Sequence, residues 1–306
     1  MTLPQNILGV DIARDWIDVF DLSSGASSRI ATADLQTFVR PLRDVLVVFE
    51  ATGGYERPLA EALEARGISY VRVNPRQARE FARATGRLAK TDKVDACVLA
   101  HMGRSLELKA DVPVDPARKR LAELVGRRDD LVRTITAETQ RMAMARDTYV
   151  RLDISYVLNI LKARRIALEK EIATAIREAS DLAEQADRLS SAPGVGPATA
   201  AVLLARLPEL GRVDRRAIAS LAGLAPHACD SGHRRGRRHV WGGRSDVRRA
   251  LYLAAFVASR FDPGLKAMRQ KLQQDGKATK VAILAIARKL LTRLNAMMRD
   301  GCNYAR

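Results

Sequence analysis

Cysteine is scarce. Cys97, Cys229 and Cys302 are the only three in 306 residues, widely separated and without a CxxC pair. That excludes a disulfide framework and a standard zinc knuckle, and it fits a reducing cytoplasm. Aromatic residues make up only 5% of the chain. No uninterrupted apolar run approaches the ~20 residues that a bilayer span needs. The opening Met1-Thr2-Leu3-Pro4-Gln5 lacks a charged stretch followed by an apolar one, so neither a membrane nor a secreted protein is expected from these signals. Acidic residues are nearly missing from the last third, where 7 Asp and Glu stand against 23 Lys and Arg between residues 188 and 306.

The remainder is ordinary for a folded, helix-leaning chain: 47% hydrophobic and 28% charged residues. At about 100–200 residues per domain, this length predicts two domains, with room for a connector. The net charge is +17, and its distribution is uneven: residues 1–110 carry +1, residues 111–187 carry 0 and residues 188–306 carry +16. A neutral front joined to a strongly basic back predicts a division of labour, with the back holding the phosphates of a polyanion. A membrane surface is the weaker partner, because the densest basic stretch is punctuated by glycine and does not oppose a broad apolar helix face.

Three segments are predicted. In residues 1–110, Ile7–Val10, Trp16–Phe20 and Ser28–Thr32 read as a strand meander, Val45–Phe49 as a buried parallel strand and Tyr70–Val73 as a further strand. Helical patterns at Leu35–Leu42, Pro58–Arg66 and Pro75–Thr85 complete the order βββαβαβα, an α/β layer, and a further one at Lys93–Arg104 follows. Residues 111–189 show helical spacing throughout and are expected to form an antiparallel hairpin or coiled-coil arm suited to protein contact. Residues 190–306 open with Pro193-Gly194-Val195-Gly196-Pro197 before a small-residue helix. Such a turn either is plain or, as a hairpin-helix element, offers backbone N–H groups at Gly194 and Gly196 to a phosphate. Helices at Arg215–Ala222, Val247–Ser259 and Thr279–Met298 are expected, with a loop over Gly223–Arg244.

Four acids sit at strand ends or helix starts of the α/β layer: Asp11, Glu50, Asp92 and Asp95. Singly they read as a turn cap, a surface acid and a charge pair at a helix N-terminus. Together over one sheet edge they read as a set able to hold two Mg²⁺ about 3.5–4 Å apart around a scissile phosphate.

Gly9-Val10-Asp11, Phe49-Glu50-Ala51-Thr52-Gly53-Gly54-Tyr55, Asn74-Pro75 and Lys90-Thr91-Asp92-Lys93-Val94-Asp95-Ala96 resemble the insertion-sequence-110 family of transposases. The likeness continues in Pro193–Gly196, Leu221-Ala222-Gly223-Leu224-Ala225-Pro226, Asp230-Ser231-Gly232, Gly236, Gly242-Gly243 and Leu251–Ala255. It implies a RuvC-like domain of RNase H fold over 1–110 whose DEDD tetrad falls on Asp11, Glu50, Asp92 and Asp95. It also implies a mainly α-helical transposase domain over 190–306 with a catalytic serine at Ser231, while the helical coiled-coil linker over 111–189 is poor in distinctive motif. Around that serine, Arg234, Arg235, Arg237, Arg238, Arg244, Arg248 and Arg249 form a dense set of guanidinium forks suited to phosphates. Without the family, Ser231 is an ordinary serine in a solvated basic loop.

The resemblance further implies Mg²⁺-dependent strand exchange through a phosphoserine on double-stranded donor and target DNA. It implies guidance by a structured RNA, and dimers or tetramers whose composite sites join one subunit's tetrad to another's serine, in a cytoplasmic, nucleoid-associated setting. The alternative is a RuvC-like junction nuclease that activates water, and a third reading is a non-catalytic organiser of nucleic acid. His227, Cys229, His233 and His239 fit no standard zinc spacing. His101 and Tyr252 read as packing residues, and Trp241 reads equally as a base-stacking residue or a loop anchor.

Overall fold

The computed structural model describes residues 6–86, 92–112, 114–227 and 238–305, with the side chains of 92–94 and 227 outside the description. The chain packs as two units, Met1–Pro113 and Val114–Arg306.

The first unit is built on one sheet in the order β3-β2-β1-β4-β5. Strands β1 (Asn6–Ile12), β2 (Trp16–Asp21) and β3 (Ser27–Ala31) form the expected antiparallel meander. β4 (Val45–Glu50) lies parallel to β1, and β5 (Ser69–Val73) parallel to β4. Helices α1 (Leu35–Val39), α2 (Arg57–Ala65), α3 (Pro75–Ala84) and α4 (Asp92–Ser105) supply the covering layers. Side chains alternate between the two faces, as a pleat demands. Leu8, Val10, Ile12, Ile17, Val19, Val47 and Phe49 form one core with Leu35, Val39, Leu59 and Leu63 of α1 and α2. Ile7, Leu46, Val48, Val71 and Val73 form another with Ala78 of α3 and Leu99, Ala100 and Met102 of α4. The leading helix begins at Leu35 as expected, after a 3₁₀ turn over Thr32–Asp34, but it ends at Val39, two residues before Pro41, which lacks the N–H that a helix needs.

The second unit is rich in helices. α5 (Pro116–Met144) and α6 (Thr148–Glu178) are 29 and 31 residues long, about 45 Å each at 1.5 Å per residue. They run antiparallel, with Arg120 paired to Glu171 and Glu178, and Arg128 to Glu169, near the base of the hairpin. α7 (Ser180–Ser190) follows a break at Ala179 that no Gly or Pro announces. Then come α8 (Pro197–Arg206), α9 (Arg215–Leu221), two-residue strands β6 (Pro226–His227) and β7 (His239–Val240), α10 (Ser245–Phe261), α11 (Pro263–Gln274) and α12 (Thr279–Asp300). Leu121 and Val125 of α5 and Ile172 of α6 share one core with Leu182, Leu203, Leu251, Ile286 and Leu290. The base of the hairpin and the last third therefore fold around the same hydrophobic centre. Among the described residues no helix is long and apolar enough to cross a membrane.

Candidate active site

Asp11 and Glu50 lie side by side. The parallel register sets Val10 against Phe49, so the next residues, Asp11 and Glu50, are level at the carboxyl ends of neighbouring strands about 4.8 Å apart. Each stands two residues from a side that faces α4, Asp11 from Gly9 and Glu50 from Val48, so both point to that face. Helix α4 runs opposite to β1. A Cβ on Gly9 would stand 2.0 Å from the Ala96 carbonyl oxygen and 2.5 Å from the Ala100 nitrogen, whereas one on Gly103 would meet Val48 and Ile7. The first turn of α4, from Asp92 to Asp95, is thereby directed to the end of the sheet that carries Asp11 and Glu50. Asp95 precedes the buried Leu99 and Met102 by four and seven residues, which places it on the sheet-facing side of the helix. Among the described residues no three His, Cys, Asp or Glu side chains form a group able to hold a metal ion. The Asp92 side chain is not among them.

A further acid belongs to this face. Asp18 is directly opposite Asp11 in the β1–β2 pairing and is 4% exposed. Its carboxylate accepts two hydrogen bonds from Arg29 on β3, Nε to Oδ1 at 3.0 Å and Nη2 to Oδ2 at 2.8 Å. The Arg29 guanidinium also lies 4.8 Å from the Trp16 ring centroid. Sequence reasoning missed Asp18, although an acid at an inward position of an alternating strand was visible.

The turn after Glu50 is tied down from within. Gly53 and Gly54 have φ of +71° and +116°, a region costly for other residues. The Glu56 carboxylate accepts from the N–H groups of Thr52 and Gly54 at 3.1 and 2.8 Å. Burial alone would raise the Glu56 carboxyl, but hydrogen bonds from its own amide and from those of Gly54 and Thr52 prevail and hold it below its ordinary value. Past β5, the Asn74 side chain caps α3 by accepting from the Arg76 N–H at 2.9 Å.

In the second unit, the Pro193–Pro197 turn is pressed against α10, since a Cβ on Gly194 would lie 2.3 Å from the Ala254 carbonyl oxygen. Gly194 has φ +79°. Gly196 is exposed and precedes Pro197, the first residue of α8. The turn lines an open cavity of about 590 Å³ with Ser191, Val257 and Phe261.

Ser231, Arg234, Arg235 and Arg237 lie outside the described residues, as do Cys229 and His233. The chain on either side of them is paired: β6 and β7 are antiparallel, with His227 opposite His239. Arg238 and Arg249 are exposed, and Arg249 stands 3.7 Å from Asp246. Arg244 and Arg248 are instead turned onto the protein. Arg244 forms a bidentate pair with Glu209 at 2.6 and 2.7 Å. Arg248 Nη1 donates to the Gly242 and Gly223 carbonyls at 2.6 and 3.3 Å. Burial would raise the Glu209 carboxyl, yet hydrogen bonding and charge from Arg244 hold it below its usual value. His101 stacks on Phe20 at 6.2 Å between centroids, and Tyr252 packs against the second unit's core.

Two family models match the chain. One, the DEDD transposase model of the IS110 group, covers residues 25–149 and takes in Glu50, Asp92 and Asp95. The other, described as "Transposase IS116/IS110/IS902 family", covers residues 186–270 and takes in the Gly194 turn and Ser231. The "Pilin gene-inverting protein" of Moraxella lacunata is 29% identical over 98% of this chain and 97% of its own length. The "Insertion element IS110 uncharacterized 43.6 kDa protein" of Streptomyces coelicolor is 37% identical over 48% of this chain and 36% of its own. The chain belongs to the IS110 family of transposases. Another relative, the "Pilin gene-inverting protein" of Moraxella bovis, is 29% identical over 83% of this chain and 80% of its own. Family membership makes the chain a DNA-acting enzyme of the transposase and recombinase kind.

Proposed function

We propose that the chain exchanges DNA strands through a phosphoserine, with Asp11, Glu50, Asp92 and Asp95 as metal ligands and Ser231 as nucleophile. The observation that carries the reading is the level placement of Asp11 and Glu50 on parallel strands, with the first turn of α4 directed to the same end. The donor set fits the ion in kind, because all four are carboxylates, the hard oxygen ligands that Mg²⁺ takes. A pair of Mg²⁺ held there supplies Lewis-acid polarisation of the scissile phosphate. Ser231 Oγ displaces a strand hydroxyl from phosphorus, and a phosphoserine ester forms as that strand's phosphodiester breaks. A hydroxyl of the partner strand then displaces the serine. One phosphodiester is traded for another, so no high-energy cofactor is needed.

The basic last third holds double-stranded donor and target DNA and a structured guide RNA at the nucleoid. Its phosphate contacts are the turn amides at Gly194 and Gly196 and, around Ser231, Arg234, Arg235, Arg237, Arg238 and Arg249. The balanced charge of residues 111–187 suits a self-association arm joining two or four copies, with one copy's tetrad completed by another's serine.

Trapping decides between this reading and a water-activating junction nuclease. With a duplex carrying the ends of the chain's own insertion element, a denaturation-resistant protein–DNA adduct is expected, and Ser231→Ala is expected to abolish it. Cleavage that proceeds without an adduct and survives Ser231→Ala would establish the nuclease. Asp11→Asn is expected to stop cleavage while binding persists; biological activity left intact by both Asp11→Asn and Asp92→Asn would leave only a nucleic-acid organiser. Sequencing the RNA that co-purifies with the protein tests the guide, since the reading requires one discrete species from the element.

A further inference from the structure

The segment that contains Ser231 joins the rest of the second unit through a neck whose two sides touch backbone to backbone. A Cβ on Gly243 would stand 2.2 Å from the Gly223 nitrogen, and one on Gly223 would stand 2.3 Å from the Gly242 carbonyl oxygen. All three glycines have positive φ, at +63°, +71° and +59° for 223, 242 and 243. Other residues would be strained at all three and obstructed at Gly223 and Gly243, whereas a Cβ on Gly242 would meet open space. The Arg244 N–H donates to the Leu221 carbonyl at 2.8 Å, and the β6–β7 ladder continues the closure on the far side of Gly223 and Gly242.

Two arginines fasten this neck. Both terminal nitrogens of Arg244 are committed: Nη1 to Glu209 Oε2 and the Arg206 carbonyl at 2.6 and 3.0 Å, and Nη2 to Glu209 Oε1 at 2.7 Å. One turn later in α10, Arg248 Nη1 binds a carbonyl from each side of the neck, Gly223 and Gly242. The same nitrogen would lie 2.0 Å from a Cβ at Gly223. An arginine whose fork is filled by a carboxylate has neither its donors nor its net charge to offer a phosphate. A guanidinium that bridges two carbonyls ties two chain segments together.

We propose that Arg244 and Arg248, with Glu209, are positioning residues that fix the neck of the Ser231 segment, and that among the described arginines of this region phosphate contact belongs to the exposed Arg238 and Arg249. The consequence for catalysis rests on the serine reading above; the division of the arginines does not. A loosened neck misplaces the nucleophile while the basic surface still binds DNA.

Two measurements on the full chain test this. The first is the slope of log binding constant against log salt on a mixed-sequence duplex. Here Arg249→Ala is expected to lower the slope by about one, whereas Arg244→Ala and Glu209→Gln leave it unchanged. The second is adduct yield on the element-end duplex. Glu209→Gln and Arg244→Ala are expected to lower it on the order of a hundredfold, the cost of a small misplacement of a reacting group. The exchanged pair Arg244→Glu with Glu209→Arg recovers most of that loss, which a general folding defect would not. A slope lowered by about one in Arg244→Ala, tighter DNA binding in Glu209→Gln, or an adduct yield that Glu209→Gln leaves unchanged would each overturn the proposal. Failure of the unmodified chain to form any adduct would sink the serine reading, and the slope would still judge the division of the arginines.

Discussion

Asp18 gives the candidate site a charge problem and its solution at the scale of single residues. A carboxylate 4% exposed, directly across a strand pair from Asp11, adds negative charge where Asp11 and Glu50 already stand side by side. Arg29 supplies the opposite charge, and its two-pronged grip also fixes the Asp18 side chain. Removing Arg29 leaves a buried carboxylate without its main partner, which costs more than the net worth of the pair. Because the Arg29 side chain is half exposed, the expected loss for Arg29→Ala is about 2 kcal/mol, in the range for an unsatisfied buried polar group. Urea unfolding checks this, and the replacement of both partners by apolar residues, Asp18→Leu with Arg29→Met, is expected to recover most of the loss. If Arg29→Ala unfolds at the unchanged midpoint, the pair contributes nothing.

At the scale of elements, the junction of α10, α11 and α12 shows how a cap becomes pH-sensitive. Asp262 caps α11 by accepting from the Leu265 N–H at 2.7 Å, and it also accepts from the Tyr304 hydroxyl at 2.7 Å and from Arg293 at 3.3 Å. Arg293 donates to the Tyr304 hydroxyl as well. Burial alone would raise the Asp262 carboxyl, but the Leu265 amide, the tyrosine and the arginine outweigh it and hold it below the ordinary range. Burial first, and then the bond to Asp262, push the Tyr304 hydroxyl up. A depressed carboxyl stabilises the fold above its unfolded value, near 3.9 for aspartate, and that contribution fades as pH falls through the lower folded value. A raised phenol stabilises below about 10, and its contribution fades as pH climbs towards the folded value. Asp262→Asn is therefore expected to flatten the acid limb of a stability-against-pH curve, and Tyr304→Phe the alkaline limb. Tyr304→Phe is also expected to lose about 1–2 kcal/mol at neutral pH from its hydrogen bond to a charged group. Unaltered limbs in both variants would remove the cluster from the account.

The same elements show what was legible in the sequence. Strands β1, β2, β4 and β5 were found within a residue or two, because their apolar runs and alternation are local signals. Helix α11 was missed although Asp262-Pro263 is a helix-start signature, because its core-facing side contributes one buried residue, Leu265. The break at Ala179 and the two-residue strands β6 and β7 carry no local marker, since they are set by tertiary packing and by the closure at Gly223. Of the four candidate acids, Asp11 and Glu50 had carboxyl-end positions that followed from strand order alone. The grouping of α4 over them depended on Gly9, whose missing side chain lets the helix approach. Asp18 stayed hidden because its partner, eleven residues away, is brought beside it only by β3.

Across the whole molecule, charge and apolar surface are sorted along the chain. The +16 of residues 188–306 contrasts with the balanced charge of residues 111–187, and the balanced segment also carries bare apolar surface. On α6, Tyr149, Leu152, Tyr156 and Ile160 are exposed, and their spacing of three, four and four residues puts them on one helical stripe. Tyr149 is 79% exposed, Leu152 65% and Tyr156 68%. Such a row on a segment without net charge is suited to a second copy of itself, where like stripes meet without electrostatic repulsion. Leu152→Glu with Tyr156→Glu disturbs neither the buried Ile154 and Leu158 on the same helix nor the basic last third. The expected outcome in sedimentation is a shift from the associated species to monomer, with melting temperature retained. The salt slope per bound chain on a mixed-sequence duplex is expected to stay constant, because the substitutions leave the basic last third untouched, while apparent affinity falls as linked copies stop binding together. An assembly state that survives both acidic substitutions would exclude this stripe as the self-association surface.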